Sequence, residues 1–84
     1  MSYIWPGGEA ILVESNPAGL PIAFTWRGEA HHIEAIAKHW RIDYGWWGSR
    51  IWRDHYKLVT TDGLLVIVYQ DLRSRAWFLQ QRLY

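Results

Sequence analysis

Cysteine is absent from this 84-residue chain. That one gap excludes disulfide staples, thiolate nucleophiles and cysteine-ligated metal centres together. Charge of one sign is also scarce: nine basic against eight acidic side chains leave a net charge of +1. No global field therefore marks a nucleic-acid binder. No apolar run approaches the roughly 18 residues of a membrane span, and no basic-then-apolar leader opens the chain, so a cytoplasmic protein is expected. The length excludes a doubly wound nucleotide-binding fold or a barrel of eight βα units. One domain over residues 1–84 remains, burying only roughly 60% of its unfolded surface.

Aromatic side chains, in contrast, are abundant: seven Trp, five Tyr and two Phe. Each can bury about 150–250 Å², so fourteen of them could line more core than a domain of this size contains. Some are expected in the core, and the surplus on a contact surface, where Trp, Tyr and Arg concentrate binding energy.

Hydrophobic patterning and turn residues divide the chain into short elements. Trp5-Pro6-Gly7-Gly8 is a turn-forming string, so residues 1–8 are expected to form a loose terminal segment. Residues 10–14 make a short strand, and Ser15-Asn16-Pro17-Ala18-Gly19 a loop. Residues 21–26 alternate, with Ile22, Phe24 and Trp26 on one face. Arg27-Gly28 then fits a tight hairpin turn. Residues 29–42 are ambiguous: Ala30, Ile33, Ile36, Ala37 and Trp40 fit helical spacing, while a strand with a bulge also aligns them.

Residues 44–49 read as a glycine-punctuated loop holding Trp46 and Trp47. Residues 52–60 alternate again, with Trp52, Asp54, Tyr56 and Leu58 on one side. Thr61-Asp62-Gly63 signals a turn. The unbroken apolar run 64–69 reads as a strand covered on both faces, by the opposite wall, a helix or a second copy. Residues 71–75 turn the chain and 76–84 alternate to its end. The fold class is mainly β: a small antiparallel curved sheet or open barrel of five to six strands, with one short helix within 29–42 as the variant. Phe24, Trp26, Tyr56, Ile67, Tyr69 and Trp77 are the expected core.

Reactive chemistry finds little support. Of His31, His32, His39 and His55, adjacent His31 and His32 point to opposite faces of a strand, and no metal-ligand spacing such as HExxH is present. Ser2, Ser15, Ser49 and Ser74 lie outside any nucleophile-elbow context. Asp43 and Asp54 could be paired as acid and base, but nothing in their spacing favours it. The expectation is a non-enzymatic chain with no catalytic residue, cofactor or metal. Charge placement says more. Arg41, Arg50, Arg53, Arg73, Arg75 and Arg82 are interleaved with Trp46, Trp47, Trp52, Trp77 and Tyr84. That composition suits a protein–protein hot spot, a single-stranded nucleic-acid groove, or a solvated Arg fringe on core indoles.

The ordered set Pro21-Ile-Ala-Phe-Thr-Trp-Arg-Gly28, Trp40, Gly45-Trp46-Trp47, Arg53-Asp54-His55-Tyr56, Asp62-Gly63 and Trp77-Phe78-Leu79 resembles the C-terminal domain of ImuB-like proteins. Those are catalytically inactive relatives of Y-family DNA polymerases. The set is also similar to small stand-alone bacterial proteins that share the pattern. It covers residues 21–84 and departs at Gln80-Gln81, where the family-like ending has His-Gly. The polymerase-like body is absent, so no polymerase activity carries over. The resemblance implies a β-rich accessory domain docking to repair or replication proteins, with 29–42 as an extended hairpin arm. Trp46, Trp47, Arg50 and Arg53 are then the expected contact patch. A repair or replication protein, or a second copy of the chain, is the expected partner. Single-stranded nucleic acid is the alternative, and no membrane is implied.

Overall fold

The computed structural model describes residues 3–46 and 48–83, with the backbone alone at Tyr3, Trp46 and Ser49. Six strands follow one another: β1 (Tyr3–Ser15), β2 (Pro21–Trp26), β3 (Glu29–Trp46), β4 (Ser49–Thr60), β5 (Leu65–Asp71) and β6 (Trp77–Arg82). Each pairs antiparallel with the next, and β6 returns to β1, so one curved sheet closes on itself in a ring. The expected curved sheet is present, closed rather than open, and the described residues contain no helix.

The turns have the chemistry their sequences announce. Arg27 and Gly28 both adopt positive φ (51° and 80°), as a two-residue type I′ turn requires. The segment 29–42 is strand, and the source of its helix-like spacing is visible. Register shifts fall between Ile33 and Ala35 and between Ile36 and Lys38. Each inserts a residue into β3, so Ile33 and Ile36 both pack against the core although three positions separate them.

The N-terminal segment departs from expectation. Residues 3–8 are not loose: Tyr3 pairs with Arg82 and Ile4 with Gln81, so β1 closes the ring. A bulge between Ile4 and Glu9 absorbs the glycines. Gly8 (φ +83°) passes so close to β6 that a Cβ there would lie 2.7 Å from the Phe78 Cβ. The Trp-Pro-Gly-Gly string is a bend inside a strand.

Inside the ring, Ile11, Phe24, Trp26, Tyr56, Leu58, Val66, Val68, Trp77 and Leu79 form the core. Phe24, Trp26, Tyr56, Tyr69 and Trp77 are buried as expected. Ile67 is only half-buried, because Val66 and Val68 take the inward positions of β5. Ile22 is 46% exposed, since β2 meets β3 only from Ala23 onward. The apolar run 64–69 is covered inside by the ring's own far wall, and Tyr69 is covered outside by β1, whose Gly7 carbonyl accepts from the Tyr69 hydroxyl.

Candidate functional site

The β3–β4 hairpin is longer than the ring needs. Strand β2 accompanies β3 only from Glu29 to His32, whereas β4 accompanies it from Ile33 to Trp46. On the other side, β5 covers β4 only down to Arg53, and the Leu72 N–H caps the Trp52 carbonyl at 2.9 Å. The end of the hairpin therefore projects as a two-stranded arm. The stretch expected as a loop, 44–49, is mostly strand, with Trp46 opposite Ser49 closing the ladder.

Alternation gives the arm two different faces. The face continuous with the ring's interior is polar and fully cross-linked. Asp54 is buried and takes two bonds from Arg41, 2.8 Å from Nε and 3.1 Å from Nη2. Those bonds hold its carboxyl below the ordinary value of 3.8 and raise the Arg41 guanidinium. His39 stacks on Tyr56 at 4.3 Å, with Nε2 3.7 Å from Asp54. Further out, Arg50 grips Asp43 at 3.2–3.3 Å and lies over the Trp52 ring at 4.7 Å. Asp43 and Asp54 are thus each committed to an arginine.

The opposite, outer face carries aromatic and aliphatic side chains. Register pairs Trp40 with His55, Ile42 with Arg53 and Tyr44 with Ile51. Exposure is high for residues of this kind: 63% for Tyr44, 38% for Ile51 and 37% for Ile42. At the base of the face, a cross-strand row of rings anchors the arm. Trp40, His55, Tyr69 and Phe78 stand opposite one another on β3, β4, β5 and β6. Successive centroids are 5.3, 5.2 and 5.1 Å apart. Arg53 lies over Tyr69 at 4.4 Å and Lys38 over Trp40 at 5.1 Å.

The expected patch divides between these faces. Arg53 belongs to the outer face, while Arg50 points to the polar face, its guanidinium already held by Asp43. An odd offset along one strand puts the two on opposite sides. Trp46 lies on the closing pair of the arm, and Trp47 lies outside the described residues. Sequence reasoning missed Ile42, Tyr44 and Ile51, whose shared face follows only from the β3–β4 register.

Two further clusters come from the fold. Trp5 and Trp26 meet edge to face at 5.7 Å. Arg27 lies over both rings, and Arg82 lies 5.9 Å from the Trp26 ring. Glu9 accepts from Trp26 Nε1 at 2.8 Å and from Arg27 at 3.2 Å. With Ile4, these two indoles and two guanidiniums line an open cleft of about 460 Å³. Second, buried His31 bonds Asp62 at 2.9 Å through Nδ1, and Asp62 also accepts from Thr60. That chain ties the start of β3 to the β4–β5 turn. Neighbouring His32 is exposed.

No curated protein and no solved structure matches this chain significantly. A family model does match, over residues 5–82, so it includes the N-terminal strand that the residue pattern left outside the family-like region. Its description names no link to ImuB-like proteins. By this match the chain belongs to DUF6504, a domain of unknown function.

Proposed function

We propose that this domain is a non-enzymatic interaction module whose contact surface is the outer face of the β3–β4 arm. The carrying observation is the contrast between the arm's faces. Every charged group named on the polar face has an internal partner, while Ile42, Tyr44 and Ile51 stand exposed side by side. A protein of this size gains nothing in its own core from those side chains. Contiguous exposed apolar surface rimmed by cations is what a protein interface presents. The resemblance to ImuB-like C-terminal domains makes repair and translesion components the partners to try first.

The double substitution Tyr44→Ala with Ile51→Ala tests the surface. Neither side chain belongs to the core, so Tm should stay within about 5 °C of the parent. Calorimetric titration against purified repair components should show affinity falling roughly tenfold or more, as expected for loss of two central contacts. A collapse of Tm places the side chains in the fold instead, and unchanged affinity moves the interface elsewhere.

The Trp5–Trp26–Arg27–Arg82 cleft favours a second reading, single-stranded nucleic acid, since guanidiniums beside indoles suit phosphates beside bases. Under that reading, oligonucleotide quenches Trp fluorescence and the affinity falls steeply with salt. A flat titration at low salt removes it.

A further inference from the structure

Edge and face of the arm are separate surfaces, and the edge has its own pattern. On the side away from β4, β3 has no paired strand beyond His32 among the described residues. The first part of that edge is guarded: bulges at Ile33/Ala35 and Ile36/Lys38 twist it out of register. From residue 38 to residue 46 the register with β4 is unbroken. This gives about 30 Å of straight open edge.

The hairpin fixes which backbone groups face outward. Two residues separate Trp46 from Ser49, and the closing pair of such a hairpin exchanges both of its hydrogen bonds. Counting back in steps of two commits Tyr44, Ile42 and Trp40 to the β4 ladder. The N–H and C=O groups of His39, Arg41, Asp43 and Gly45 are left for the open edge.

That edge is complementary to itself. Laid antiparallel against an identical edge about a two-fold axis at Ile42, Arg41 stands opposite the partner's Asp43, and Asp43 opposite the partner's Arg41. Trp40 stands opposite the partner's Tyr44. Because Arg41 is already held by Asp54 and Asp43 by Arg50, the charges would alternate in sign across the seam. Moving the axis one residue either way sets Arg41 against its own copy or Asp43 against its own copy. Of these three registers, the one centred on Ile42 alone avoids like charges directly opposite each other, which destabilise a sheet, and it alone sets Arg41 against Asp43.

We propose that the domain pairs with a second copy of itself, edge to edge along residues 38–46, with the two-fold axis at Ile42. This goes beyond the interaction reading and does not depend on which protein the outer face meets. Its consequence for that reading is bivalence: pairing places two outer faces side by side in one continuous sheet.

The absence of cysteine makes the register testable by cross-linking. Ile42→Cys would face its own copy across a non-hydrogen-bonded pair, at a Cα separation of about 4.5 Å, within disulfide reach. Tyr44→Cys would lie four positions from its copy, roughly 13 Å away, out of reach. Mild oxidation should therefore give a reducible species of twice the 10.0 kDa chain mass from Ile42→Cys and almost none from Tyr44→Cys. Light scattering on the unmodified chain should show its mass rising with concentration. Asp43→Lys, an exposed substitution, should weaken that association roughly tenfold with the melt preserved. Equal cross-linking of both cysteine variants, a single-chain mass throughout the series, or undiminished association of a folded Asp43→Lys each overturns the proposal.

Discussion

His55 occupies an uncomfortable site for a titratable ring. It lies between Trp40 and Tyr69, is 3% exposed, and its Nδ1 has no hydrogen-bond partner. Burial pushes its pKa below the ordinary 6.5, and the Arg53 cation pushes the same way. In that window the unfolded chain binds the proton and the folded chain does not, so stability falls as pH drops from about 6.5. Asp54 adds a second, lower limb. Its folded pKa lies below 3.8, so the stability from its Arg41 pair is present above that value and lost as pH falls below it. His55→Phe keeps a ring in the row and removes the proton site. Melting curves between pH 7 and 5 should slope downward for the parent and flatten for this variant. A parent curve already flat there would mean that His55 titrates as it does in the unfolded chain. None of this is legible in the sequence, where Asp54-His55-Tyr56 shows only alternation. The row exists because three register pairs bring the four rings opposite one another.

Among the strands, legibility follows local regularity. β2, β4 and β6 alternate cleanly, and Phe24, Tyr56, Leu58, Trp77 and Leu79 are inward as the pattern predicts. β3 reads ambiguously because its two bulges change a period of two into apparent steps of three. β1 misleads more strongly, since Pro6 and two glycines normally break a strand. Here they let it bend and approach β6. Two alanine substitutions separate the roles of those glycines. At Gly7 (φ +77°) the added Cβ meets nothing within 4 Å, leaving the left-handed backbone cost of about 1 kcal/mol. At Gly8 the same cost is joined by collision with Phe78 and Tyr69. Overpacking adds about 1–3 kcal/mol, so Gly8→Ala should lower Tm by roughly 10–20 °C and Gly7→Ala by less than half of that. Equal melting temperatures would show that β1 does not press on the ring row.

Closure of the ring is the property of the whole molecule that no local pattern announces. Five of its six pairings join consecutive strands across short turns, but the sixth joins residues 3–11 to 77–82. Bringing those ends together sacrifices the chain entropy of the largest loop in the protein, and the contacts that repay it form only afterwards. The pairs among β3, β4 and β5 carry no such cost, and β3–β4 is the longest ladder. The folding nucleus is therefore expected in β3–β5, with β1 docking on β6 after the barrier. Ile11, buried where β1 meets Trp77, reports on closure, and Leu58, buried on β4 opposite Ile36 and Val66, reports on the nucleus. Ile11→Val should cost about 1 kcal/mol, expressed almost wholly as faster unfolding. Leu58→Ala should cost about 2–5 kcal/mol, with more than half appearing as slower folding. Chevron plots of the two variants decide the order. A folding arm slowed by Ile11→Val as much as its stability falls would place closure of the ring inside the transition state.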